Sequence, residues 1–266
     1  MLSAHAQALA AVGLIRTSRR RGFCPACRLF LTGDAPHEIA APGLVAAAVL
    51  VVAALAWAAT IARSRAMDDM AVGLGPVGPF VAGWTVMMAA MMLPSATPLV
   101  FDFARDAEGR RGWRAATALL GATYLGIWVG FGVACYALYT AAGMPWPNQG
   151  LVGGAGLVVA GLYELTPVKR ASEAWCRERC ALHGPLPFNL LRSAVVVGAR
   201  YGVSCLGCSA GVMVAMVPLG MSNLVWMVVL SAIVLAYKLA PDPTLARRVA
   251  QSVAMVAFGV LYAVGA

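Results

Sequence analysis

LVAAAVLVVAALAWAATIA, residues 44–62, contains no charged side chain. An α-helix rises 1.5 Å per residue, so about 20 apolar residues cross the roughly 30 Å hydrocarbon core of a bilayer. The stretch therefore predicts a transmembrane helix. The preceding segment, residues 16–28, is basic, but no apolar run follows it until Gly43. A cleavable signal would place a shorter apolar region closer to its basic residues, so the run reads as a retained first span.

The rest of the chain agrees with that reading. Of 266 residues, 61% are hydrophobic and 12% charged, and the mean hydropathy is +0.78. These values lie outside the range of soluble domains. Six further apolar segments fall at 77–93, 116–141, 150–165, 201–219, 222–240 and 248–265. The expected fold is all-α, a polytopic transmembrane bundle of about seven spans. Residues 1–43 form a basic N-terminal arm and 44–266 one helical membrane domain. Its connections at 63–76, 142–149 and 219–222 are short and its largest soluble element is the segment 166–200. Small residues such as those of GGAGLVVAG, 153–161, suit close helix packing in lipid.

A net charge of +9 could point to nucleic acid. Its distribution points to topology. With the N-terminus inside, every Lys and Arg lies on the inner side except Arg63 and Arg65. That asymmetry is the positive-inside pattern, and it orients the chain N-terminus in and C-terminus out. The basic residues meet anionic lipid, with no nucleic-acid partner required.

Sulfur is the chemical anomaly. Six of the seven cysteines form local pairs: Cys24/Cys27, Cys176/Cys180 and Cys205/Cys208; Cys135 stands alone. On this topology the pairs lie at or near the reducing inner side, where paired thiols serve metal binding or redox chemistry more often than structural disulfides. Cys176 and Cys180 sit one helical turn apart, and His183 follows three residues later. Two thiols and an imidazole at that spacing can converge on copper or zinc. Arg177 and Arg179 favour the thiolate. Cys205 and Cys208 share a helix face, with Met213 and Met216 further along it.

GWTVMMAAMMLPSATP, residues 83–98, carries Met87, Met88, Met91 and Met92 at i, i+3 and i+4 spacings. Such a stripe is compatible with packing, since methionine is an adaptable core filler. The second span runs outside to inside and the fifth inside to outside, which puts these thioethers at the depth of Cys205 and Cys208. Pro94 and Pro98 are expected to break the helix just below. Thiolate with thioether favours Cu(I) over harder ions. No Asp/Glu/His cluster is expected inside a span; Glu164 and Lys238 read as span-end charges that snorkel to the interface. No P-loop, nucleophile elbow, zinc-protease motif or dinucleotide fingerprint is present.

The methionine segment, YELTPVKR (163–170), Cys176-x3-Cys180, YGVSCLGCSAGVMVAM (201–216) and GMSNLVWM (220–227) follow one another in an order that resembles a family of bacterial polytopic metal-binding membrane proteins with proposed copper-chaperone roles. The resemblance implies copper handling in the bacterial cytoplasmic membrane. Its candidate ligands are Met87, Met88, Met91, Met92, Cys176, Cys180, Cys205, Cys208, Met213 and Met216. The chain departs from the family pattern at Ser209 and Ala210, where a third Cys and often Trp stand, and at Tyr237, where a Glu precedes the Lys.

The leading expectation is a non-enzymatic membrane protein. It would bind Cu(I), with zinc as the alternative ion, through these residues together with His183 and the arm's Cys24 and Cys27, and deliver it to a copper-protein client. Two alternatives stay open: a membrane thiol–disulfide oxidoreductase using the Cys pairs, and a small transporter or structural subunit.

Overall fold

A computed structural model describes residues 40–67, 75–143, 148–178, 186, 189–216, 224, 227–229, 231–232 and 245–265. Among the described residues all regular structure is helical. The helices are α1 (Ala40–Met67), α2 (Val77–Ala107), α3 (Trp113–Ala141), α4 (Gln149–Tyr163), α5 (Pro167–Glu178), α6 (Leu190–Met216) and α7 (Leu245–Gly265). Four segments are long and apolar enough to cross a membrane: Ala41–Ser64, Val77–Ala107, Trp113–Ala141 and Leu190–Val214. Gly150–Tyr163 and Pro167–Cys176 together meet the same condition, bent by 73°. Most of the apolar segment 222–240 lies outside the described residues.

The centre of the fold is α2. It packs on α1 and α3, and α3 packs on α6, which also meets α4 and α5; α4 and α7 pair with each other. α1 borders the bundle, leaving Leu44, Val51 and Leu55 exposed. α2 is buried along most of its length, from Phe80 to Ala107. The turn from α2 to α3 uses Gly109 and Gly112 at φ 79° and 78°, a left-handed region where glycine carries no steric cost.

Two expectations change here. Pro94 and Pro98 do not end the second span; α2 runs through both to Ala107. A proline removes one helical N–H and crowds the preceding turn. Hydroxyl groups converge on the affected turn: Ser95 Oγ donates to the Met92 carbonyl at 2.7 Å and Thr97 Oγ1 to that of Leu93 at 3.1 Å. From across the core, Tyr201 Oη donates to the Ser95 carbonyl at 3.0 Å. These bonds tie the side chains and α6 to the turn around the prolines; the carbonyls that lose an N–H donor to Pro94 and Pro98 are those of Ala90 and Pro94. The fifth predicted segment also begins earlier, at Leu190 rather than residue 201. Arg192 and Arg200 made that stretch look like a soluble linker, yet Leu190 and Ala194, on either side of Arg192, are buried.

The α4–α7 pair is held by backbone proximity. A Cβ at Gly259 would lie 2.6 Å from the Gly154 carbonyl oxygen, so only glycine permits this approach. Ser252 Oγ on α7 donates to the Gly161 carbonyl at 2.7 Å.

At the bend, α5 has its polarity reversed. Lys169, Ser172, Glu173 and Cys176 face the bundle and are buried, while Val168 and Trp175 are 61% and 53% exposed. Water-facing helices of soluble proteins do the opposite.

Candidate metal centre

α6 supplies Cys205 and Cys208, both buried thiols, and α2 supplies Met87, Met88, Met91 and Met92, also buried. These six belong to one contiguous buried cluster with Met213 and Met216 of α6 and Cys176 of α5. α2 and α6 meet at one hydroxyl, and because α6 begins at Leu190 the cysteine pair lies well inside the helix rather than at its inner end. Tyr124 Oη, from α3, lies 3.2 Å from Cys205 Sγ and 3.4 Å from the Met92 carbonyl oxygen. With the thiol protonated, the Cys205 S–H can donate to the tyrosine oxygen while the tyrosine donates to Met92. With the sulfur ionised, the same hydroxyl can turn and donate to it. Tyr124 and Tyr201 are tilted against each other, with ring centroids 5.4 Å apart, so Tyr124 cannot swing freely.

Cys208 Sγ donates to the Cys205 carbonyl at 3.1 Å and lies 3.5 Å from Ser209 Oγ. Two thiols with nearby thioethers form a soft donor set that suits Cu(I). Among the described residues, no group of three or more His, Cys, Asp or Glu is placed to hold a metal ion. Zinc, which takes four N, S or O ligands in a structural site, finds only part of such a set here.

The backbone around the cysteine pair is gripped by the α4–α5 corner. Lys169 Nζ donates to the Cys208 carbonyl at 2.5 Å and to Glu164 Oε1 at 2.7 Å. Tyr163 Oη donates to the Gly207 carbonyl at 2.8 Å. Gly207 has no side chain because Ser172 occupies the space: a Cβ there would meet Ser172 Oγ at 2.6 Å. Glu173 adds contacts to Lys169 at 3.7 Å and to Arg248 of α7 at 2.9 Å.

Glu164 therefore does not snorkel. It is 2% exposed and paired with a lysine that is 3% exposed. A charged network at a helix break inside the bundle is the feature that sequence spacing missed. The clue available was Glu164 and Lys169 flanking Thr-Pro, an acid and a base on either side of a breaker.

Cys180, His183, Cys24, Cys27 and Lys238 lie outside the described residues. The convergence of Cys176 with Cys180 and His183 thus has only its first member in view, and Cys176 faces inward. The buried cluster also takes in Met227, Met255 and Cys135. Their isolation in sequence gave no spacing signal.

No curated protein and no solved structure matches the chain. A family model, PpoB2, described as a copper chaperone, matches residues 81–262. That region holds the methionine helix, the α4–α5 corner and the cysteine pair, and it is more than half of the 266 residues. The chain belongs to the PpoB2 copper-chaperone family.

Proposed function

We propose that the protein is a multi-pass protein of the bacterial cytoplasmic membrane that binds Cu(I) through Cys205 and Cys208, assisted by the thioethers of Met91 and Met92, and gives the ion to a copper-protein client. In this reading the N-terminus is inside, the C-terminus outside, and the span count about seven. Cys176, with Cys180 and His183, captures the ion from the inner side. Cys24 and Cys27 add a further thiol pair on the arm.

One observation carries the reading. In a chain of a copper-chaperone family, the Cys205 thiol and the Met92 turn meet at the same buried tyrosine hydroxyl. Membrane placement is supported by the four long apolar helices and the bent pair. Two thiolates with weakly held thioethers leave Cu(I) low-coordinate, which allows the ligand exchange that delivery requires.

The test is copper per protein after anaerobic purification. Wild type is expected to hold copper. Serine at Cys176, Cys180, Cys205 and Cys208 together is expected to remove most of it. Unchanged stoichiometry in that variant refutes the assignment.

A further inference from the structure

The two thiols of the pair have different neighbours. Cys205 Sγ lies 3.2 Å from a hydroxyl, that of Tyr124. Cys208 Sγ lies 3.1 Å from an acceptor, the Cys205 carbonyl oxygen. A thiol suits either neighbour, because S–H is a weak donor and sulfur a weak acceptor. A thiolate suits only a donor. Copper binding replaces the thiol proton, so it turns this difference in surroundings into a difference in affinity.

At Cys205 the change needs one hydroxyl rotation. Tyr124 Oη is 3.4 Å from the Met92 carbonyl, a long contact. When it turns to the sulfur, that carbonyl keeps the Ser95 hydroxyl at 2.7 Å. The ring need not move: Tyr124 is 1% exposed and packs against Tyr201, itself anchored on the Ser95 carbonyl at 3.0 Å. The donor is thus already in place at a sulfur closed to water, where a hydrogen bond to a charged group is stronger than one between neutral groups. At Cys208 an ionised sulfur would meet the lone pairs of the Cys205 carbonyl and has to turn away, and Ser209 Oγ is farther, at 3.5 Å. Lys169 reaches the Cys208 carbonyl, but it is shared with Glu164 and Glu173. With Arg248 on Glu173, the corner sets two cations against two carboxylates and adds no net positive charge.

We propose that Tyr124 is a positioning residue of the copper site: its hydroxyl donates to the Cys205 thiolate and makes Cys205 the anchoring ligand, leaving Cys208 as the ligand that a client displaces first. This rests on the copper-binding role above. As each copper–sulfur bond forms, the thiol proton leaves to the medium, and copper stays Cu(I).

The test measures the Cu(I) affinity of the full-length protein in detergent by competition with a chromophoric Cu(I) chelator. The starting chain carries serine at Cys24, Cys27, Cys176 and Cys180, which leaves Cys205 and Cys208 as the thiol pair being read. Cys205→Ala is expected to weaken binding about tenfold more than Cys208→Ala. Tyr124→Phe is expected to weaken it about tenfold whenever Cys205 is present, with or without Cys208, and less than about twofold in the Cys205→Ala chain. A packing defect would weaken all of them alike. Metal-free protein gives a second reading: Tyr124→Phe is expected to raise the infrared S–H stretching frequency of Cys205, identified by its loss in Cys205→Ala. Equal losses from the two cysteine changes, a Tyr124→Phe effect that is the same with and without Cys205, or an unmoved S–H band would each overturn the proposal. Wild type that takes up no copper overturns the binding role and the proposal together; the other outcomes, in protein that takes up copper, overturn the proposal alone.

Discussion

Replacing Lys169 with Met removes the cation that lies 2.7 Å from Glu164 Oε1 and the donor that holds the Cys208 carbonyl at 2.5 Å. Both side chains of the ion pair are almost wholly buried, at 3% and 2%, so water cannot take over the lost role. Removing one partner of a buried pair costs about 3–5 kcal/mol, chiefly because the remaining charge has lost its counter-ion. Lys169→Met is therefore expected to destabilise the fold by that amount. Glu164→Gln in the same chain removes the abandoned charge. The double variant is expected to recover about 2–3 kcal/mol relative to the sum of the two single changes, a coupling typical of residues in direct contact. Reversible unfolding in bicelles by steric trapping gives all four corners of the cycle. A Lys169→Met cost below about 1 kcal/mol, or a double variant as costly as the sum of the singles, would refute the claim that Glu164 and Lys169 form a coupled buried pair at the α4–α5 corner.

Gly259→Ala places a Cβ 2.6 Å from the Gly154 carbonyl oxygen and is expected to cost about 1–3 kcal/mol in the same assay. Gly121→Ala, with open space around it, serves as the control and is expected to be neutral or slightly stabilising. Tyr124→Phe keeps the ring against Tyr201 but deletes the hydroxyl shared by Cys205 and Met92. It is expected to cost about 1 kcal/mol, and unchanged stability would mean that the hydroxyl does not tie the two helices. A periplasmically active phosphatase fused after residue 266 is expected to be active in intact cells, as the positive-inside distribution requires; an inactive, stably expressed fusion would invert the topology.

Long uninterrupted apolar runs were the most legible part of the fold. Residues 44–62 and 116–141 were read within a few positions of α1 and α3, because hydropathy over some 20 residues is a property of the segment alone. α2 was read too short, because proline's local penalty is visible in sequence while the burial of the helix and its bonds to neighbours, such as that from Tyr201 of α6, are not. That the methionine segment and the cysteine pair lie alongside each other followed from antiparallel topology. Tyr124 did not, since nothing in the order of residues 92, 124 and 205 brings them to one point. Lys169 and Glu173 were placed in solution for the same reason: charge argues for water until a partner is known, and their partners sit at the C-terminal end of α4 and on α7.

The reversed polarity of α5 has a consequence for biogenesis. Lys169 and Glu173 make this segment a poor substrate for the insertion machinery, which sorts helices by their own hydropathy as they emerge. Its outward Val168 and Trp175 make it equally ill-suited to remain in the cytosol. Glu173 reaches Arg248 only after the ribosome has begun α7, about seventy-five residues later. The Glu173–Arg248 contact of the corner can thus close only late in synthesis, whereas Lys169 can reach the Cys208 carbonyl once α6 has been made.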